Sequence, residues 1–267
     1  MDGGPADVRT DAPAPCAIDA SGISLAFGGV KAVHGMNLKL AAGEFLGLIG
    51  PNGAGKTTLF NIIAGSYRAD EGTVLIQGRA APRGDAKSRI GLGLGRTFQI
   101  PKPFPQMTVL ENVLTGAQNQ SGERIWPNFL QFGRVAAEER AAVEKAQALL
   151  EFVKLAHLAR EPARVLSGGQ RKLLELARVL MADPQILLLD EPAAGVNPAL
   201  LEFIISRVLE LNTQGKSILL IEHNMDMVTR LCHRVVVMAG GRFLTEGAPQ
   251  DVARNPAVIE AYLGAAA

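Results

Sequence analysis

The spacing of apolar and polar residues changes several times along this chain, and each change predicts an element. ISLAF (Ile23–Phe27) and MNLKL (Met36–Leu40) alternate apolar and polar positions, the period of antiparallel strands with one face in a core and one in water. EFLGLIG (Glu44–Gly50) is continuously apolar, which predicts a central strand covered on both faces. LFNIIAG (Leu59–Gly65) predicts a helix and TVLIQG (Thr73–Gly78) another strand. From about Ile100 the texture becomes helical. A Pro-rich hook (IPKPFPQ, Ile100–Gln106) leads to a short helix, a connection containing Trp and Pro, and a long Ala/Glu/Leu helix from about Val135 to Ala156. An amphipathic helix opens at Ser167. ILLLD (Ile186–Asp190), a helix over Pro198–Asn212, SILLIEH (Ser217–His223), a short helix, RVVVMAG (Arg234–Gly240) and RFLTEG (Arg242–Gly247) then follow, and AVIEAYLGAAA (Ala257–Ala267) closes with a short helix. Strands alternating with helices predict an α/β fold around a mainly parallel sheet. The half-solvated strands add an antiparallel β subdomain, and about residues 100–182 form an inserted α-helical subdomain. Residues 1–17 hold little to bury and are expected to form a disordered lead-in to a folded unit over 18–267.

Composition narrows the partners. With 27 Lys+Arg against 26 Asp+Glu, the net charge of +1 argues against a protein held on nucleic acid by a basic face. No apolar run approaches the roughly 20 residues of a spanning helix. The chain is expected to be soluble or peripheral, reaching a membrane only by docking to something else. Cys16 and Cys232 lack metal-ligand spacing and suit a reducing cytosol. Cys16 has no apolar stretch before it, so no lipoprotein or secretory signal is expected.

Candidate chemistry begins at Gly50-Pro51-Asn52-Gly53-Ala54-Gly55-Lys56-Thr57-Thr58, which fits G-x-x-x-x-G-K-[ST] between a predicted strand and a predicted helix. This is the setting of a phosphate loop and predicts a P-loop NTPase (RecA-like) core. Glycines let backbone N–H groups converge on phosphate oxygens, Lys56 supplies a point charge to the β/γ-phosphates, and the Thr57 hydroxyl suits Mg²⁺. Asp190 and Glu191 end a buried strand. The first is placed to hold Mg²⁺ and the second to orient or activate a water, as phosphoryl transfer to water requires. His223 also lies just past an apolar strand. Carboxyl ends of parallel strands face the ligand crevice, so Lys56, Asp190, Glu191 and His223 should converge. Ser167-Gly168-Gly169-Gln170 opens a helix with backbone N–H groups and a favourable dipole, a second anion site with no lysine of its own. Gln99, in RTFQI, carries no role on its own chemistry.

The set GPNGAGKTT, RTFQ, LSGGQ, ILLLDEP and IEH, in this order, resembles the nucleotide-binding subunit of ABC transporters from about residue 18 onward. The resemblance implies a head-to-tail dimer of ATP-binding cassettes with two ATP molecules held between phosphate loop and LSGGQ of opposing subunits. It implies that Ser167, Gly168, Gly169 and Gln170 contact the γ-phosphate bound by the partner. It also implies that His223 contacts the phosphate of its own subunit, and that Gln99 links the Mg²⁺ and water site to the transporter interface. AAGVN looks like the family's D-loop, with Asn197 where many members have Asp. Phe27 matches the aromatic that stacks on adenine, while its alternation with Ile23 and Leu25 equally suits a core position. LAFGGVKAVHGMNLKLAAGE, GLGRTFQIPKPFPQMTVLENV, DEPAAGVNP and EGAPQDVARNPAVIEAYLG resemble the ATPases of branched-chain amino acid uptake. Cassettes of amide, urea or aromatic-acid uptake and of lipopolysaccharide export are similar. LSGGQ departs from the Tyr-Gly-Gln form of many amino acid members. The implied assembly adds integral membrane permeases and, indirectly, a periplasmic solute-binding protein. It would sit at the cytoplasmic face of a bacterial inner membrane, and the hook at Ile100–Gln106 either docks the permease or pads the helical lobe.

Overall fold

In the computed structural model, which describes residues 16–97, 102–118 and 132–264, two sheets divide the apolar positions between them. β1 (Cys16–Phe27) and β2 (Val30–Ala41) form an antiparallel pair. β3 (Phe45–Ile49) enters the second sheet, and α1 (Lys56–Ile63) follows it. β4 (Glu71–Ile76) and β5 (Arg79–Ala80) return to the first sheet, whose order is β2-β1-β4-β5. Cys16 already pairs with Ala41, so β1 begins two residues inside the stretch expected to be a lead-in. Residues 1–15 of that lead-in lie outside the described residues. Ile23 and Leu25 are buried while Phe27, at the strand's end, is 49% exposed, so Phe27 is not a core residue.

α2 (Ala86–Gly91) and β6 (Leu94–Arg96) precede the helical stretch. That stretch holds α3 (Val109–Leu114), α4 (Phe132–Phe152) and α5 (Gly168–Met181). α4 stops at Phe152 rather than near Ala156. Lys154 takes a left-handed φ of 56°, and Leu155 N–H donates to the Leu150 carbonyl at 2.7 Å, a helix-ending arrangement usually announced by glycine. The chain continues through β7 (Ile186–Asp190), α6 (Pro198–Thr213), β8 (Ser217–Ile221), α7 (Met225–Leu231), β9 (Arg234–Ala239) and β10 (Arg242–Gly247), then α8 (Pro249–Ala253) and α9 (Pro256–Gly264).

The second sheet has the order β10-β9-β3-β8-β7-β6, parallel throughout except for β10 at one edge. Every residue of β3, β7 and β8 is buried because both faces are covered, which explains their unbroken apolar runs. Alternation along these strands assigns the two faces. Phe45, Leu187, Leu189, Ile218 and Leu220 join a core with the helices α3 to α7. Leu46, Leu48, Leu188, Leu219 and Ile221 join a core with α1 and the antiparallel sheet. Position in this order decides the site, because β3, β8 and β7 are neighbours and end on the same edge.

Candidate functional site

The phosphate loop leaves β3 and enters α1 through a turn built for glycine. Gly50 has φ 150°, and a Cβ on it would lie 2.1 Å from the Met238 carbonyl oxygen. Gly55, with φ 90°, caps α1, and a Cβ there would lie 2.2 Å from the Ala32 carbonyl oxygen. The loop is thus pressed against the backbone of β2 and β9, and only the absence of side chains permits it. Gly241 N–H donates to the Ala54 carbonyl at 3.1 Å and ties the loop to the β9–β10 turn. Lys56 is buried under the loop, its Nζ donating to the carbonyls of Gly50 (2.7 Å) and Pro51 (2.9 Å). Burial lowers its pKa, and the Glu191 carboxylate opposes that shift. Thr57 and Asn52 are exposed beside it.

Gly55→Ala is expected to cost a few kcal/mol through a left-handed φ combined with a backbone clash. Thermal unfolding should fall by several degrees, and nucleotide affinity should drop at least about tenfold with loss of the loop's shape. Gly53, also at positive φ but with nothing within 4 Å of its Cβ position, should tolerate Ala with only the smaller conformational cost. Scanning calorimetry and nucleotide titration of the two variants check this contrast.

Asp190 ends β7 and pairs with Ile221, the last residue of β8. Its carboxylate is buried, with Arg96 Nη2 at 3.6 Å. Desolvation raises its pKa, and the Arg96 charge only partly opposes this. Glu191 follows with φ 47°, and its Oε1 lies 3.0 Å from His223 Nε2, just past β8. The structure therefore brings together Lys56, Asp190, Glu191 and His223 at the carboxyl edge of three adjacent strands.

Two neighbours of this cluster escape a motif reading. Glu222, 3% exposed, accepts N–H bonds from Ala193 (2.8 Å), His223 (2.9 Å) and Asn224 (3.2 Å). Lys172 of α5 donates from Nζ to the carbonyls of Glu191 (2.9 Å) and Pro192 (3.2 Å). An acid directly beside His223 at a buried strand end was the available signal for the first. Nothing local marked the second.

Ser167 and Gln170 form a capping box at the start of α5. Ser167 Oγ accepts from Gln170 N–H at 3.3 Å, and Gln170 Oε1 accepts from Ser167 N–H at 2.9 Å. Gly169 meets α6, where a Cβ would lie 2.0 Å from Leu200 Cδ2, whereas Gly168 faces open space. A larger residue meets open space at Gly168, whereas at Gly169 the Leu200 side chain would have to turn aside, so a Tyr-Gly-Gln variant of this motif is sterically compatible with the fold. Asn197 caps α6, its Oδ1 accepting from Leu200 N–H at 2.9 Å. An Asp there would cap equally well. Phe27 packs edge-on against Tyr67, with ring centroids 5.6 Å apart. Gln99 lies outside the described residues.

The donor set fits a nucleotide and a hard cation. The glycine turn is held tight against the backbone of β2 and β9, Lys56 sits beneath it, and the oxygens available are a hydroxyl and a carboxylate, as Mg²⁺ prefers. Among the described residues no group of three His, Cys, Asp or Glu side chains is placed to hold a metal unaided.

The ABC transporter family profile matches residues 33–194, and one for branched-chain amino acid ATP-binding cassette transporters matches residues 244–267. A probable branched-chain amino acid transport ATP-binding protein, LivG, of Archaeoglobus fulgidus is 44% identical over 248 residues, covering 93% of this chain and 95% of that protein. The high-affinity branched-chain amino acid transport ATP-binding protein LivG of Escherichia coli is 37% identical over 250 residues, 93% and 98% of the two chains. Among solved structures, a nucleotide-free ATP-binding cassette from an ABC transporter matches with a TM-score of 0.80 and 38% identity, over 92% of this chain and 98% of that one. The ADP conformation of MJ1267, an ATP-binding cassette of an ABC transporter, matches with a TM-score of 0.80 and 39% identity, over 93% and 99%. With a glycine-built phosphate loop, paired acids and a facing histidine on one sheet edge, and relatives of this kind along its length, the chain belongs to the ABC transporter family as its ATP-hydrolysing cassette.

Proposed function

We propose that this cassette is the motor of an importer for branched-chain amino acids or related small polar solutes. The substrate class rests on the relatives' function and on the C-terminal match over residues 244–267. The reaction rests above all on the 3.0 Å approach of Glu191 to His223. Residues 50–58 hold the phosphates of ATP, and Phe27, exposed at the end of β1, stacks on the adenine. Thr57 and Asp190, with Gln99, would hold Mg²⁺. Bound there, Mg²⁺ would neutralise phosphate charge as the γ-phosphoryl group leaves. Glu191 takes the proton of the attacking water, and His223 orients the Glu191 carboxylate and contacts the γ-phosphate. Residues 167–170 serve the nucleotide of a second cassette, so the working unit is a head-to-tail dimer.

No helix among the described residues is long and apolar enough to cross a membrane. As an ABC transporter cassette, the chain works with membrane permease subunits. We place the cassette at the cytoplasmic face of the inner membrane, beneath permeases fed by a periplasmic solute-binding protein. The hook supports a docking role. Phe104 is 49% exposed, with the Arg178 guanidinium 5.4 Å from its ring centroid, beside a groove that Lys102 and Arg96 also line. Asn112, fully buried, fixes the hook by accepting from Phe104 N–H at 2.8 Å and donating to the Phe104 carbonyl at 3.0 Å. The test is reconstitution with the candidate permeases and binding protein in liposomes. ATP-dependent uptake of leucine, isoleucine or valine is expected. A Phe104→Asp, Arg178→Glu variant should lose co-purification with the permeases and uptake, while the isolated subunit keeps its ATPase activity within about twofold, as expected for changes away from the reacting groups. ATP-driven uptake of none of these amino acids would refute the substrate class, and unimpaired co-purification would refute docking at the hook.

A further inference from the structure

The loop after β7 holds Glu191 at φ 47°, a conformation unfavourable for a residue with a Cβ, so something must hold the backbone there. Glu191 N–H is anchored to the Ile221 carbonyl at 2.9 Å, and the Glu191 carbonyl accepts a turn bond from Ala194 N–H at 3.1 Å. Charged groups grip the same loop further. Lys172 Nζ takes the carbonyl oxygens of Glu191 and Pro192, and Glu222 takes the next free N–H, that of Ala193. The same Glu222 carboxylate holds the N–H groups of His223 and Asn224. One buried acid therefore links the loop that carries Glu191 to the loop that carries His223.

We propose that Lys172 and Glu222 are positioning residues for hydrolysis, a clamp that keeps the Glu191 carboxylate against His223 while touching none of the reacting atoms themselves. The clamp also gives α5 a mechanical link to the catalytic loop. Lys172 lies five residues after Ser167 on the helix whose first turn faces the partner's nucleotide in the proposed dimer. A shift of that helix start is passed through the Lys172 ammonium to the backbone of Glu191. Each nucleotide site thereby reports to the other through its own chain. Electrostatics agree with this geometry, since burial lowers the Lys172 pKa and the surrounding Glu222, Glu191, Glu175 and Asp190 carboxylates oppose the shift. This inference rests on the reading of Glu191 as the base.

Steady-state kinetics of Lys172→Met, Glu222→Gln and the double variant test it, with Lys172→Arg as the conservative change and Glu191→Gln in parallel. Gln at 222 keeps the shape but leaves one acceptor oxygen where the carboxylate had two. Lys172→Met and Glu222→Gln are each expected to lower kcat by about tenfold or more, as loss of a charge-assisted hydrogen bond implies, with KM for ATP changed less than about threefold. The double variant should be no worse than about the poorer single one, because both act on one loop. Lys172→Arg, which still donates to both carbonyls, should recover most of the rate. Lowered thermal stability with kcat unchanged would reduce the clamp to a structural ion pair and overturn the proposal, as would losses that multiply in the double variant. Lys172 is only half-buried, so its variants should stay folded even if Glu222→Gln does not. If Glu191→Gln is inactive while Lys172→Met turns over normally, the clamp alone fails. If Glu191→Gln itself turns over, the assignment of the base fails first.

Discussion

Glu191→Gln is expected to bind ATP with nearly unchanged affinity and to lose hydrolysis by on the order of 10²-fold or more. In the proposed mechanism the substitution replaces an acceptor of the water's proton with a group of the same shape. Gln can keep the contact to His223 Nε2, now 3.0 Å from Glu191 Oε1, and its backbone remains held by Lys172 and the Ile221 carbonyl. Geometry survives and proton acceptance is lost. In a dimer that closes on ATP and reopens after hydrolysis, blocking the chemical step traps the closed form. An ATP-dependent dimer should therefore appear by size exclusion for this variant and be transient in the parent. Single-turnover assays of phosphate release measure the chemical step directly. Undiminished turnover would mean that another group, with His223 nearest, accepts the proton.

The lines of this site that a sequence can show are those set by chain-local rules. A glycine pattern between an apolar strand and a helix announces the phosphate loop because only glycine survives at Gly50 and Gly55. Continuous apolar runs announce β3, β7 and β8 because both faces are covered. Convergence of Lys56, Asp190, Glu191 and His223 then follows from parallel strands ending on one edge. What stayed hidden depends on pairing at a distance. β6 is three residues within GLGLGR, and it is a strand only because Leu94 to Arg96 pair with Ile186 to Leu188. α2 carries no apolar stripe long enough to announce a helix, and Asp85 supplies only its cap. α4 ends at a left-handed Lys154, held by a Leu155-to-Leu150 bond and by Phe203, whose ring lies 4.7 Å below the Lys154 ammonium. A lysine gives no notice of such a turn. Lys172 and Glu222 act on backbone atoms of a loop far from them in sequence or folded beside them, and spacing alone does not encode that. Conversely, the alternation that suited Phe27 to a core fails at the strand's end, where Phe27 is half-exposed and packs edge-on against Tyr67.

Ser167→Arg should abolish hydrolysis, by about 10²-fold or more, while leaving nucleotide binding at the subunit's own phosphate loop nearly intact. The reason lies in where the residue sits. Ser167 caps a helix of 14 residues whose first turn offers unpaired N–H groups and the positive end of a dipole, chemistry suited to a phosphate. The LSGGQ motif has no lysine of its own, whereas the Gly50–Thr58 loop has Lys56 beneath it. An arginine there fills the space in front of the helix start and removes the hydroxyl that accepts from Gln170 N–H. Loss of the cap alone costs about 0.5–2 kcal/mol of stability, so a folding defect has to be separated from a binding defect. Ser167→Asp makes the separation. Asp caps as well as Ser and should leave thermal unfolding unchanged, yet its charge repels a γ-phosphate brought by a second cassette. Both variants are expected to fail in hydrolysis, and in a Glu191→Gln background both should fail to form the ATP-dependent dimer. A mixture in which one partner carries Ser167→Asp and the other Lys56→Ala then identifies whose phosphate is contacted. With sites shared between subunits, such a pair has one site carrying both defects and one site intact, and that intact site is expected to bind nucleotide in the closed dimer. If Ser167→Asp hydrolyses ATP at the parent rate, the helix start does not contact phosphate and the shared-site reading is wrong.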